Sequence, residues 1–360
     1  MIVIPSFTLG GTERQGLAFA MALRHKGNFE PVLLGLGRQG ELVGVLQKAG
    51  LKYCHFDGND FMNGNSRKRA LALFALLRTL LKAKAHTVIC FSIIPSIMVG
   101  AVWRFSTARA FIWHQGSLDY NLPVSWWERW AMFCRPTYAA NGPQPARFIR
   151  SRHRLAENQV KRLSNHLSIP KVVSSEQKAP EVLQVLMLSN FFPEKDHFTV
   201  LNAAKILLDK GLEMHFHFVG FAPGKSNRLN VVKALAYDLG LQGKVFFHGP
   251  TIEPERWLCT ANVGLLSTLS EGFSNALMEY MAYGLPIVAT RIQANVDVLG
   301  EENAPWLFEV GAAHELADRL LSLQLSPNLR TQLGGANRTK ALLRFSNNHY
   351  MEEVDALLAS

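Results

Sequence analysis

Short apolar runs alternate with longer stretches of helical period along most of this chain, and that alternation admits few folds. Ile2–Phe7 reads as a strand, Glu13–Lys26 as a helix with apolar Leu17, Ala20, Met21 and Leu23, and Pro31–Leu36 as a second strand. A helix over Glu41–Ala49 stops at Gly50, a longer one spans Ser66–Lys84, and Val88–Ser92 and Ala110–His114 are continuous apolar runs. Such runs suit strands buried on both faces, and strands joined through helices run parallel. Polar and basic sequence from about Arg147 to Ala179 interrupts the rhythm, and Ser151-Arg-His-Arg and Ser174-Ser-Glu-Gln-Lys read as surface loop or linker. Strands then resume over Val182–Leu188, Met214–Val219, Val245–His248, Val263–Ser267 and Ile287–Ala289. Helices over His197–Lys210, Arg228–Leu239, Asn275–Tyr283 and Ala313–Leu323 separate most of them. The expectation is an α/β protein of two doubly wound parallel-sheet domains, with ligand bound beyond the strands' carboxyl ends in a central cleft.

At 360 residues the chain is long enough for two cores, and 48% hydrophobic residues with 22 Phe and 7 Trp exclude an intrinsically disordered polymer. Charge is unevenly spread. Residues 1–180 hold 24 Lys and Arg against 9 Asp and Glu, a net +15, and residues 181–360 hold 14 against 19, a net −5. The basic half calls for an anionic partner: a membrane surface, a phosphorylated substrate or nucleic acid. Cys54, Cys90, Cys134 and Cys259 are scattered without a CxxC pair, which argues against zinc and a disulfide framework and fits a reducing compartment. The N-terminus lacks the basic start of a signal peptide. Thr87–Trp103 carries no charge, but it is shorter than the roughly 20 residues of a spanning helix and contains Pro95, so it reads as a strand followed by a helix.

Two motifs bear on chemistry. Gly35-Leu-Gly37-Arg-Gln-Gly40 fits GxGxxG, and Asp57 and Asp60 follow at the distance of a dinucleotide fingerprint. It sits on the second strand-to-helix turn instead of the first, and reads better as a glycine-rich turn. The stronger signal is Ser270-Glu271-Gly272-Phe273-Ser274-Asn275-Ala276-Leu277-Met278-Glu279, between an apolar strand and a helix. Ser274 or Asn275 would cap that helix, whose N-terminus favours a diphosphate, and carboxylates flanking it can accept hydrogen bonds from sugar hydroxyls.

Glu271 to Glu279 resembles the E-x7-E element of retaining GT-B glycosyltransferases, and EGFSNALMEYMAYGLPIVAT is similar to glycosyltransferase family 4. IPSFTLGGTERQGLAFAMAL, LMLSNFFPEKDHFTVLNAAKIL and FHFVGFAPGKSNRLNVVKALAYDLGLQGKVFFHG resemble further parts of that family, and LSNHLSIP its interdomain turn. The resemblance implies a GT-B fold of two Rossmann-like domains. Residues 1–165 would form an acceptor-binding domain, 166–346 a nucleotide-sugar donor-binding domain, and a last helix over 347–360 would pack back on the first. It implies catalytic roles for Glu271 on the donor sugar, Lys195 on the leaving diphosphate and His114 closing over the sugar. Donor contacts would come from Gly10, Gly11, Asn190, Gly272, Phe273, Ser274, Asn275 and Glu279, the last on the ribose. A lone histidine at a strand end is otherwise usually structural.

The sequence also departs from the pattern. Asn190 stands where the family usually has Arg, which leaves the diphosphate to Lys195, helix N–H groups and a further cation such as Lys225. Gln293-Ala294 replaces a Gly-Gly pair. No Asp-x-Asp triplet occurs, so no metal or other cofactor is expected. Arg67-Lys-Arg69 opens an apolar helix that suits an anionic lipid surface and a core face equally, and the Trp126-Trp127-Glu-Arg-Trp130 stretch suits an interface or a core.

The implied activity is transfer of a sugar from a nucleotide-diphosphate sugar, with retention, to a glycan or lipid-linked glycan. The implied setting is surface polysaccharide assembly in the cytoplasm, peripheral to the inner membrane face, with no nucleic acid partner. The alternatives are a GT-B epimerase or phosphorylase, or a non-catalytic sugar-nucleotide or lipid-binding protein.

Overall fold

The computed structural model describes residues 1–8, 10–37, 39–118, 123–171, 182–222, 227–251 and 253–359. The chain divides into two units, one of residues 1–166 with 348–360 and one of residues 167–347.

The first unit runs β1 (Ile2–Ile4), α1 (Gly11–His25), β2 (Val32–Gly35), α2 (Leu42–Lys48), β3 (Lys52–His55), α3 (Asn59–Asn63) and α4 (Ser66–Ala83). It continues with β4 (Thr87–Phe91), α5 (Ile93–Gly100), β5 (Ala110–Gln115), α6 (Trp126–Phe133), β6 (Thr137–Ala140), α7 (Pro143–His153) and β7 (Val160–Arg162). Among the described residues these strands form one parallel sheet in the order β3-β2-β1-β4-β5-β6-β7. Alternate residues of a strand enter different cores. Val3 packs with α4 and α5 residues such as Leu76 and Met98, whereas Ile2 and Ile4 pack with Phe19 and Leu23 of α1. Both faces are therefore apolar, as a covered parallel sheet requires.

The second unit runs β8 (Leu183–Leu188), α8 (His197–Asp209), β9 (Met214–Val219), α9 (Arg228–Asp238), β10 (Val245–His248), α10 (Glu255–Thr260) and β11 (Val263–Leu266). It continues with α11 (Asn275–Ala282), β12 (Ile287–Thr290), α12 (Gln293–Leu299), β13 (Leu307–Phe308), α13 (Ala313–Leu325) and α14 (Pro327–Arg344). Its described strands are parallel in the order β10-β9-β8-β11-β12-β13, again with an apolar cluster on each face. The last helix, α15 (Asn347–Leu358), sends Tyr350, Val354 and Leu357 into the first unit's core beside Phe19. Glu353 fastens it there, accepting hydrogen bonds from the Ser164 backbone N–H (2.7 Å), the Ser164 hydroxyl (3.1 Å) and Arg162 Nε (2.9 Å).

The structure corrects one expectation directly. Ser151-Arg-His is not loop but the last turn of α7, and β7 follows it inside the stretch read as a linker. The cause is a buried ionic network, which hydrophobic periodicity does not register. Arg152 makes a two-point contact with Glu128 on α6, Nη2 lying 2.8 Å from Oε2, while His153 Nε2 is 2.9 Å from Oε1 and its Nδ1 is 3.0 Å from the Tyr138 hydroxyl. Ser174-Ser-Glu-Gln-Lys lies outside the described residues. The GxGxxG stretch is a packing device. A Cβ at Gly37 would lie 2.7 Å from the Pro5 carbonyl oxygen, and one at Gly40 2.8 Å from that of Phe7, so these glycines let one loop lie on another.

Candidate functional site

In a doubly wound sheet the strand order reverses at one point, and the two loops leaving the flanking strands diverge to open a crevice. In the second unit that point lies between β8 and β11. The loop after β8 carries Asn190 and Lys195, and the loop after β11 carries Glu271, Gly272 and Phe273 before α11 begins.

The two loops are stitched together. The Asp196 N–H donates to the Ser267 carbonyl (3.1 Å), the Leu269 N–H to the Glu194 carbonyl (2.8 Å), and the Thr268 hydroxyl to the same Glu194 oxygen (3.0 Å). Lys195 and Glu271 form an ion pair across this seam, with side chains only 18% and 19% exposed. An ammonium and a carboxylate are thus held at one rim, both in reach of solvent. Asn190 does something different from its neighbour. Its Oδ1 accepts from the Phe221 N–H (2.9 Å), tying the loop after β8 to the one after β9.

α11 starts where it does because the Ser274 hydroxyl caps it, accepting from the Leu277 N–H (3.4 Å). Its direction is fixed by Tyr280, which sequence reading passed over. The fully buried Tyr280 hydroxyl accepts from the Leu188 N–H (2.6 Å) and donates to the Leu265 carbonyl (3.2 Å), so one side chain bridges β8 and β11 at the reversal point. Gly264 makes room for it, since a Cβ there would sit 2.4 Å from the ring. The helix begins four residues after Glu271, so its N-terminus, with its positive dipole end, follows directly on the loop that carries this carboxylate. Gly272, Phe273 and Ser274 are buried, Phe273 against Phe345, while Asn275 and Glu279 are half-buried on the helix.

His197, the first residue of α8, lies behind this rim. Its Nδ1–H donates to the Lys195 carbonyl (3.0 Å), its Nε2 accepts from the Ser189 hydroxyl (3.1 Å), and its ring stacks on Phe191. Burial pushes its pKa down to about 4, the charges of Arg228 and Lys195 acting in the same direction, so it stays a neutral spacer.

The remaining candidates belong to the first unit, at its own reversal point between β1 and β4. Gly10 and Gly11 lead into α1, and a Cβ on Gly10 would fall 2.1 Å from a Glu13 carboxylate oxygen. Burial raises the pKa of Glu13, against hydrogen bonds from its own backbone N–H and from Ser6. Ser92, just after β4, holds φ +83°, ψ +164°, a conformation natural only to glycine. Its N–H donates to the His114 carbonyl (3.0 Å). The His114 imidazole is 3% exposed, donates through Nε2 to the Leu163 carbonyl (3.1 Å), packs on Phe91, and is pushed by burial to a pKa of about 4. Ser92 carried no sequence signal, because strain is a property of φ and ψ and not of composition. Lys225 lies outside the described residues.

No group of three or more His, Cys, Asp or Glu among the described residues is disposed to hold a metal ion, and no helix among them is long and apolar enough to cross a membrane.

Residues 169–340 match the family of glycosyl transferases group 1. The capsular polysaccharide biosynthesis glycosyltransferase CapM of Staphylococcus aureus is 22% identical over 346 residues, 88% of this chain and 89% of that one. The putative glycosyltransferase EpsD of Bacillus subtilis is 26% identical over 160 residues, 44% of this chain and 41% of its own. The lipopolysaccharide core biosynthesis glycosyltransferase LpsE of Rhizobium meliloti is 24% identical over 207 residues, 57% and 59%. The chain thus spans between two fifths and three fifths of the length of these last two relatives. Among solved structures, Anabaena Alr3699/HepE in complex with UDP and glucose superposes with a TM-score of 0.82 at 15% identity, covering 100% of this chain and 99% of that one. A glycosyltransferase from Rickettsia africae gives 0.81 at 18% identity, covering 99% and 97%. At such identities the likeness shows the fold, two parallel-sheet α/β units of the GT-B class.

Proposed function

From a chain whose residues 169–340 match the glycosyl transferases group 1, we propose an enzyme that moves a sugar from a nucleotide-diphosphate sugar to a glycan or lipid-linked glycan, with retention of configuration. The observation that carries the proposal is the Lys195–Glu271 pair at the β8/β11 reversal point, beside the N-terminus of α11. Lys195 and the helix N-terminus are suited to the diphosphate, whose negative charge grows as the bond to the anomeric carbon breaks. Glu271 is suited to the donor sugar's hydroxyls and Glu279 to the ribose. The acceptor oxygen bonds to the anomeric carbon on the face the diphosphate leaves, and the acceptor's proton passes to a departing diphosphate oxygen. With cations and helix N–H groups doing this work, the reaction is metal-independent. Within the first unit, Gly10 and Gly11 are suited to a close approach of substrate, and the neutral His114, bonded inward to Leu163, is suited to support that rim from behind. The relatives' roles in capsule and lipopolysaccharide assembly favour a surface polysaccharide as the product.

The test is incubation of the protein with nucleotide sugars and candidate acceptors, with NMR of the product. A new glycoside with the donor's anomeric configuration, formed equally well in EDTA, is expected; an inverted product or loss of turnover in EDTA would contradict this reading.

A membrane-peripheral setting belongs to the same proposal. The α4 stripe Leu73, Leu76 and Leu80 is buried, but Leu71 and Phe74 are exposed on the same helix. On α6, Trp126 stacks on Trp130 and Trp130 on Phe133, with Trp126 65% and Phe133 75% exposed. Phe105 is likewise 62% exposed, its neighbour Arg104 bonding through Nε to the Cys134 carbonyl at the end of α6. Exposed Arg129 and Arg135 flank these rings. Aromatics ringed by arginine suit the interface of an anionic bilayer. A Trp126→Ser/Phe133→Ser variant is expected to fold normally and to lose most binding to phosphatidylglycerol vesicles in a sedimentation assay. Unchanged binding would remove the membrane from the proposal.

A further inference from the structure

The diphosphate of a sugar nucleotide carries two negative charges and its departure adds to them, yet among the described residues the rim around α11 is sparing with cations. Lys195 shares its charge with Glu271, and position 190 offers only a carboxamide whose oxygen is engaged by the Phe221 N–H. A second cation stands on the neighbouring helix. Arg228 opens α9, directly after the loop that leaves β9, and its guanidinium lies 4.0 Å above the ring of Phe198 in the first turn of α8. α8 and α9 pack together, and the turn carrying Phe198 follows Lys195 by only three residues.

We propose that Arg228 is a second diphosphate-binding residue of the donor site, held toward the Lys195 rim by its stacking on Phe198. This rests on the reading of the second unit as the donor-binding unit. Stacking uses the face of a guanidinium, whereas oxyanion recognition uses its N–H edge, so the two contacts do not compete. A ring beneath the guanidinium also removes much of the rotamer freedom an exposed arginine would lose on binding. His197 fits the same picture. The charges of Arg228 and Lys195 both act on its ring, which burial keeps neutral, so it adds no third charge. Arg228 would then bind the diphosphate and leave the sugar and the base to other residues.

The experiment titrates the full-length protein with UDP, GDP and ADP and with the matching monophosphates, for wild type, Arg228→Gln and Arg228→Lys, with a thermal melt of each variant. For whichever base the wild type prefers, Arg228→Gln is expected to weaken diphosphate binding about 10- to 100-fold and monophosphate binding by far less, the loss of one charge-assisted contact. Arg228→Lys, which keeps the charge, should recover most of the difference. If Arg228→Gln lowers the melting temperature while the diphosphate-to-monophosphate ratio stays at the wild-type value, Arg228 is only a packing residue and the proposal is overturned. If the wild type binds none of the three diphosphates, the donor-site reading itself fails and takes this inference with it.

Discussion

Glu271→Gln is expected to lower kcat by about 10²- to 10³-fold while leaving the fold intact, because in the proposed mechanism a preorganised charge at the reacting centre is lost without a change in shape. Stability should hardly move. Glu271 and Lys195 are each about one fifth exposed, and an ion pair that water still reaches contributes at most ~1 kcal/mol. Lys195→Met should act differently, weakening nucleoside diphosphate binding as well as turnover. Because the two groups form one pair, the double variant should be much less impaired than the product of the single effects. Steady-state kinetics of the three variants, with melting curves beside them, check this. Wild-type turnover by Glu271→Gln would remove the carboxylate from the chemistry.

The largest effect on stability is expected in the first unit. Glu128 is fully buried and accepts from both Arg152 and His153, so Glu128→Ala removes the anionic partner of both at once. Breaking such a network typically costs about 3–5 kcal/mol, a large share of the roughly 5–15 kcal/mol that holds a domain together. Burial raises the Glu128 pKa, but hydrogen bonds from His153 and Arg152 outweigh that and leave it below the ordinary carboxylate value. A carboxyl with a depressed folded-state pKa stabilises the fold above the unfolded pKa. That contribution fades as the pH falls through the folded value. Acid denaturation of the wild type should therefore carry a Glu128 component below pH ~4.5 that Glu128→Ala lacks. Urea unfolding at neutral and acid pH measures both effects. A cost under ~1 kcal/mol at neutral pH would mean that the network contributes no net stability.

Much of this was legible from the sequence, for identifiable reasons. Strands buried on both faces are uniformly apolar, so β4, β5 and β11 announced themselves. The EGFSNALME stretch was legible because a capped helix start, a glycine and two carboxylates each leave a mark in residue type. What escaped depended on partners distant in sequence. β3 is an edge strand with exposed Lys52, Tyr53 and His55, so it lacks the apolar run. α7 escaped because Arg152 and His153 are polar and yet buried, satisfied by Glu128 from another helix. Tyr280 lies in a helix the sequence does show, but nothing short of the sheet's reversal point reveals that its hydroxyl joins Leu188 to Leu265. Arg228 read as an ordinary helix-start residue until Phe198 was seen beneath it.

Calorimetric titration of UDP-, GDP-, ADP- and CDP-sugars into the intact protein and into Lys195→Ala asks most directly whether this chain grips a sugar diphosphate. Saturable one-site binding of at least one donor, weakened tenfold or more by the lysine substitution, is the result expected. No heat from any donor, or equal affinity in the variant, would contradict the account.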